Sequence, residues 1–265
     1  MNLKDRYEGY RTFRICFSNP TEELIERMDN GSLIESMQGI NNEAMSETLE
    51  PLPSLIEKVL GYDTLSPKEH LEGQYTSIFV YPAYFAPYET VYLENTISAK
   101  PFLYGEVADI VKEEYLSAGF KIFSYGDMPD NISNELAFME YLIGMEGRNS
   151  ENAQKWRKME VTFLSEHLLK WVPRLLEEMG TGIEYWRDYG SYLCEDRFCK
   201  ERTQTNLVPG KLFERACDVR DCRVRISDYP DGIVLGLKFY YIMGKLLGHF
   251  LDKEAKLIDT ELLRV

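Results

Sequence analysis

The chain has 265 residues and a formal net charge of −14, an acidity that argues against a general nucleic-acid binder, because phosphate binding draws on a surplus of Lys and Arg. With 44% hydrophobic and 13% aromatic residues it carries enough apolar surface for a substantial core, which excludes disorder beyond short loops. The N-terminus, MNLKDRYEGYRTFRICF, is charged through Arg14 and develops no uninterrupted apolar run, so export by a secretory signal is not expected and a cytoplasmic location is.

Tyr7, Tyr10, Phe13 and Phe17 recur at three- to four-residue spacing and place four large rings on one face of an opening helix. Asn19, Pro20 and Glu22 supply an N-cap, an N1 proline and an N3 carboxylate for a short second helix to about Met28, closed by Asn30-Gly31. Pro51 and Pro53 break the next stretch, and Ser54 to Leu60 forms a turn or two of helix stopped by Gly61. Ser66-Pro67-Lys68-Glu69 is a capping-box start, followed by Leu71, Tyr75, Ile78 and Phe79 on one face.

From Gly105 to Gly119, Val107, Ile110, Val111 and Tyr115 mark one helical face. Asp130 is placed to cap a helix carrying Leu136, Met139, Leu142 and Ile143. A long helix from about Asn152 to Met179 sets Phe163, His167, Leu168, Trp171, Leu175 and Met179 at helical spacing, with Pro173 placed to kink it. The last helix runs from about Ile233 past Leu251. Lys238, Lys245 and His249 interrupt its apolar run, so it reads as a buried helix and not as a stable membrane insertion. No alternating strand and no solenoid repeat stands out. The expected fold is all-α, a single bundle of about 8–11 helices over residues 1–265.

Residues 180–232 break this rhythm and read as an irregular insertion before the last helix. Between Cys194 and Arg225 there are eight Lys+Arg and six Asp+Glu, a local net of +2 in an acidic chain. Cys194-x4-Cys199 and Cys217-x4-Cys222 form two similar pairs, so four soft ligands could converge on zinc or on an iron-sulfur cluster. Structural zinc pairs usually have two to four intervening residues, and five steps along a helix turn roughly 140° away, so each pair would need a turn. Unliganded thiols or an occasional disulfide remain the alternative. Cys16, on the packed face of the first helix, is expected to be structural.

Three blocks, in order, resemble the TorD-like redox-enzyme maturation chaperones, the group that includes the TorD, DmsD and NarJ types. QYTSIFVYPAYFAPYETVYL, Gln74 to Leu93, is similar to that family's helix end, proline loop and Pro-Tyr-Glu-Ser-Val-Tyr segment, here Pro87 to Tyr92. DMPDNISNELAFMEYL, Asp127 to Leu142, is similar to its Glu-Pro-x-Asp-His signature and following Glu-Leu-x-Phe-Met. Asp127 stands for the Glu, Asp130 and Glu135 match, and Asn131 replaces the histidine, which removes a side chain that titrates near neutral pH. FLSEHLLKWVPRLLEEM, Phe163 to Met179, resembles the Phe-Leu-x-x-His-Leu-x-x-Trp helix. The resemblance covers roughly residues 5 to 179 and the final helix and leaves out the cysteine insertion.

It implies a non-enzymatic helical chaperone, monomer or homodimer. Its partner would be the catalytic subunit of a molybdopterin oxidoreductase, bound at its N-terminal, often twin-arginine, signal or on its body until the cofactor is loaded. A receptor for adjacent arginines and an apolar run needs carboxylates beside an apolar groove, because a guanidinium makes paired hydrogen bonds to a carboxylate. The candidates are Glu89, Asp127, Asp130 and Glu135, with Tyr88, Tyr92 and Asn131 beside them. Each has a plainer reading: Asp130 as an N-cap, Glu135 as a solvated helix residue, the tyrosines as core rings. His167, on the apolar face with Trp171, reads as a satisfied interior histidine, and His70 and His249 stand alone, so the three do not make a catalytic set. No phosphate loop, nucleophile elbow or His-Glu metal motif appears. No cofactor is required by this reading. The competing one is a four-cysteine zinc, iron-sulfur or redox protein on a helical scaffold.

Overall fold

The structure is a computed structural model and describes residues 1–40, 43–62, 65–80, 85–93, 105–121, 128–148, 150–184 and 231–262. Helix α1 (Leu3–Phe17) starts in a capping box, with the Asn2 side chain accepting from the Asp5 N–H at 2.9 Å and Asp5 reaching back to Asn2. Its rings behave as their spacing predicts: Tyr10, Phe13 and Phe17 are buried, with Tyr7 half-buried at the edge. Helix α2 (Glu22–Asp29) begins two residues later than expected. Thr21 and not Asn19 is the cap, its side chain accepting from the Leu24 N–H at 3.3 Å. Gly31, at φ 80°, turns the chain into α3 (Ser32–Ile40), where the left-handed region favours glycine.

Helix α4 (Glu43–Leu49) leads to α5 (Leu52–Leu60), which starts two residues earlier than the prolines suggest. Pro51 precedes it and Pro53 falls in its first turn, where no intrahelical N–H is needed. Helix α6 (Pro67–Tyr75) has the expected Ser66–Glu69 capping box and widens into a π turn over Thr76–Val80. The short α7 (Glu89–Leu93) follows, then α8 (Glu106–Ala118), ended by Gly119 at φ 75°. On α8, Val111 and Tyr115 are buried, whereas Ile110 is 45% exposed and off the expected face.

Helix α9 (Ile132–Arg148) leads through a 3-10 turn at Ser150–Asn152 into α10 (Ala153–Phe163). The long helix expected from Asn152 is thus not uniform. A π turn at Leu164–Leu168 separates α10 from α11 (Leu169–Glu184), which accommodates Pro173. The last helix, α12 (Asp231–Leu262), closes the bundle. Among the described residues no strand forms, and no helix is long and apolar enough to cross a membrane. The four-cysteine insertion lies outside the described residues; Cys16 is a buried free thiol, pushed up to about 12 by burial.

Helix α1 packs along α9, with α12 and α3 also against it, while α12 also rests on α11, α5 and α4. One continuous core runs through all of these, from Tyr10 and Phe13 to Trp171 and Phe250. Gly9 lets α1 and α12 approach closely: a Cβ there would sit 2.5 Å from the Phe250 ring, which in turn meets Tyr10 edge-on at 4.9 Å. Beside this contact lies a buried ion network. Arg6 donates from Nε and Nη2 to Glu254 at 2.8–3.0 Å and from Nη1 to Glu160 at 2.9 Å. Tyr10 donates to Glu254 at 3.1 Å and Arg157 to Glu160 at 2.8 Å. Burial, reinforced by Glu146, pushes the Glu160 carboxyl up to about 8 despite the two guanidiniums. Sequence patterning does not mark these residues, because the Arg6–Glu254 separation of 248 positions leaves no local spacing rule to find.

Candidate functional site

The Pro87–Tyr92 segment and the start of α9, the first two blocks of the resemblance, meet in space. Tyr88 and Asn131 form an antiparallel bridge, the Ile132 N–H donates to Pro87 O at 2.9 Å, and the Glu89 N–H donates to Asp130 O at 2.9 Å. The side chain of Asn131, in the place of the family histidine, caps α9: its Oδ1 accepts from the Ser133 N–H at 2.9 Å and from the Ser133 hydroxyl at 2.8 Å. Asp130 is therefore not the cap of its own helix. Its carboxylate reaches across to α7 and accepts from the Thr90 N–H at 3.0 Å, holding the first turn of that helix.

Behind this seam is a cluster of buried acids. Glu89, Asp130 and Glu135 are each 0% exposed. The π turn at Leu164–Leu168 carries His167 into contact with them: its Nδ1 lies 2.8 Å from Glu89 Oε2 and its Nε2 lies 3.3 Å from Glu114 Oε1, with the ring stacked on Phe163 at 4.6 Å. Burial alone would lower the imidazole, but the hydrogen bonds to Glu114 and Glu89 carry it up to about 9, so His167 is a cation at neutral pH. Glu135 accepts from the Trp171 indole N–H at 2.9 Å. Burial first, and then the Glu89 charge beside it, hold the Glu135 carboxyl well above the usual range. Glu135 is thus not a solvated helix residue, and His167 is the interior histidine its position suggests.

Tyr92 is a core ring, 4% exposed and stacked on Trp171 at 5.6 Å. Its hydroxyl donates to Glu178 at 3.2 Å, and Arg174 donates to its backbone carbonyl. Asp127, the remaining acidic candidate, lies outside the described residues, as do Cys194, Cys199, Cys217 and Cys222. Among the described residues no group of His, Cys, Asp and Glu is arranged to hold a metal.

Two of the candidates do reach the surface. Tyr88 and Asn131 line one end of a groove of about 940 Å³ that follows α9 along to Arg148, with Tyr7 and Arg14 of α1 on its other side. At a rise of 1.5 Å per residue this run is roughly 25 Å long. Phe120, Met128, Tyr141 and Met145 add apolar surface, and Tyr7 lies against Gly144, where a Cβ would stand 3.3 Å from its ring. The sequence reading finds the loop that ends this groove but misses its α1 wall, because Tyr7 reads as one more core ring in the 3.6-residue pattern. Among the described residues the geometry offers an elongated surface, part aromatic and part polar, suited to holding a chain segment.

No curated protein and no solved structure shows significant similarity to the chain. A family model described as "Nitrate reductase delta subunit" matches residues 41–177, just over half of the chain and the part that contains the first two motif blocks and all but the last two residues of the third. The chain therefore belongs to the nitrate reductase delta subunit family, the NarJ- and TorD-type chaperones of molybdoenzyme maturation.

Proposed function

We propose that this protein is a cytoplasmic chaperone that holds the catalytic subunit of a molybdopterin oxidoreductase, by its N-terminal, twin-arginine-type segment, while the cofactor is inserted and before export or membrane docking. It works by binding, without turnover. The observation that carries this reading is the groove along α9, bounded by the two segments whose residues resemble the family's signature, Tyr88 and Asn131 among them. Its roughly 25 Å length suits a helical segment of about sixteen residues. Glu89, Asp130 and Glu135 support such a site from behind: they fix the loop and the first turn of α9, so that Tyr88 and Asn131 face the groove in one geometry.

The test is a titration of the full chain with a labelled peptide copying the first twenty residues or so of the catalytic subunit encoded beside it. Saturable binding at about 10 µM or tighter is expected, competed by the intact subunit and weakened by Tyr88→Ala. A peptide that shows no binding at several times that concentration overturns the reading.

A further inference from the structure

The acids that the motif supplies do not line the groove. Glu89, Asp130 and Glu135 are 0% exposed and engaged with His167, with Trp171 and with the first turn of α7. The groove lining contains two guanidiniums, Arg14 and Arg148, and a single carboxylate, Glu140. Glu140 is already matched: Arg14 Nε donates to it at 2.6 Å. Arg148 stands exposed in the last turn of α9 and makes no ion pair with any described residue. The carbonyl end of α9 offsets about half a charge there. What remains is a positive end on an aromatic groove, in a chain of net charge −14.

From this the geometry points to a groove that reads a carboxylate: the client segment seats an Asp or Glu side chain on Arg148, with its apolar side chains over Tyr7, Phe120 and Tyr141. The inference rests on the proposed function and adds the chemistry of the partner. An arginine pair in the same segment finds no open carboxylate inside the groove among the described residues, and stays at its mouth, where the acidic surface attracts it at long range and salt screens it. A guanidinium presents a planar fork that takes a carboxylate through two parallel hydrogen bonds, which makes Arg148 selective for an acid over an amide of the same shape.

The experiment uses the full chain and three peptides: the native N-terminal segment of the neighbouring catalytic subunit, the same segment with every Asp and Glu changed to its amide, and the same segment with its adjacent arginines changed to Gln. Each is titrated against the native protein and against Arg148→Gln, an exposed change at a helix end whose fold is checked by thermal unfolding. Amidation is expected to weaken binding to the native protein about fivefold, the upper range for a solvent-accessible pair, and to change nothing on Arg148→Gln. The Arg-to-Gln peptide keeps its affinity within about twofold at 0.5 M salt, where exposed long-range attraction is screened. A native segment without an acidic residue overturns the inference. So does an amidation effect that is absent, or that persists unchanged in Arg148→Gln, and in each of these cases the proposed function stands. Failure of the native peptide to bind at all removes both.

Discussion

Where α1, α10 and α12 meet, buried Arg6 and half-buried Arg157 face Glu160 and Glu254, and the signs nearly balance. Behind the seam of α7 and α9, Glu89, Asp130, Glu135 and Glu114 face a single side-chain cation, His167. The first cluster is held by guanidinium–carboxylate geometry and joins helices that are far apart in the chain. The second is short of cations among the described residues and is completed by the Trp171 N–H and by the Thr90 backbone N–H, while burial and the Glu89 charge raise the Glu135 carboxyl. One is a latch between helices, gathered around a buried guanidinium; the other orders a loop and gathers its acids around one imidazole. Removing one partner from a matched buried pair strands a charge, whereas the acid-rich cluster can take up or release a proton instead.

The largest expected effect breaks the latch. Glu254→Ala leaves the Arg6 guanidinium buried without its three hydrogen bonds to that carboxylate, and should cost about 3–5 kcal/mol in urea unfolding. The double change Arg6→Met with Glu254→Leu should recover most of that loss; equal destabilisation by the double change would mean that packing, and not the stranded charge, accounts for it.

The pH dependence separates the clusters next. His167 has its native value raised from 6.5 to about 9, so its contribution is complete below about pH 6.5 and is lost as pH rises through 9. Roughly 2–3 kcal/mol of stability should disappear over that window. Glu160, raised to about 8, binds a proton in the native state that the unfolded chain has released, so it adds a loss of the same sign between about pH 4.5 and 8. In His167→Gln the slope from pH 7 to 9 should shrink markedly; an unchanged slope would show that the imidazole carries no charge in the folded protein.

Smaller effects are expected where the second cluster meets the backbone. Asp130→Asn weakens the tertiary cap on α7 and should cost about 1–2 kcal/mol, with faster amide exchange at Thr90 and Val91 while α1 stays protected. Asn131→Ala, which removes only the cap of α9, should cost about 1 kcal/mol. If it costs several times as much, the Asn131 side chain holds more of the seam than its bonds to Ser133.

Much of the helical framework is legible in the sequence, because a ring or branched side chain every three to four residues states its own buried face, as Tyr10, Phe13 and Phe17 do on α1. Short elements are harder. The stop at Asn30-Gly31 hides α3, although Leu33, Met37 and Ile40 carry the spacing and are all buried. The π turn at Leu164–Leu168 is invisible because one widened turn leaves the hydrophobic spacing nearly intact. For the site, resemblance and residue type single out Glu89, Asp130, Glu135 and Asn131 and read His167 as an interior histidine, but do not say which of the candidates faces solvent. That depends on partners 36 to 78 positions away in the chain, such as Trp171 for Glu135 and Glu89 for His167. Arg14 and Arg148, the guanidiniums of the groove, carry no motif at all.

The grip of α12 on α1 has a consequence for biosynthesis. Tyr7 and Arg14, one wall of the groove, belong to a helix whose buried Arg6 finds its main carboxylate only at Glu254, and whose Gly9 is covered by Phe250. At ordinary elongation rates of about 5–20 residues per second, roughly ten to fifty seconds separate the synthesis of those two helices. Until then α1 has α9 and α3 to rest on but a guanidinium in its packed face that is held on its Nη1 side by Glu160, without its three bonds to Glu254, so the wall it forms is the last part of the receptor to set. A nascent copy of this chaperone is in that sense unready for a client until its own final helix has left the ribosome.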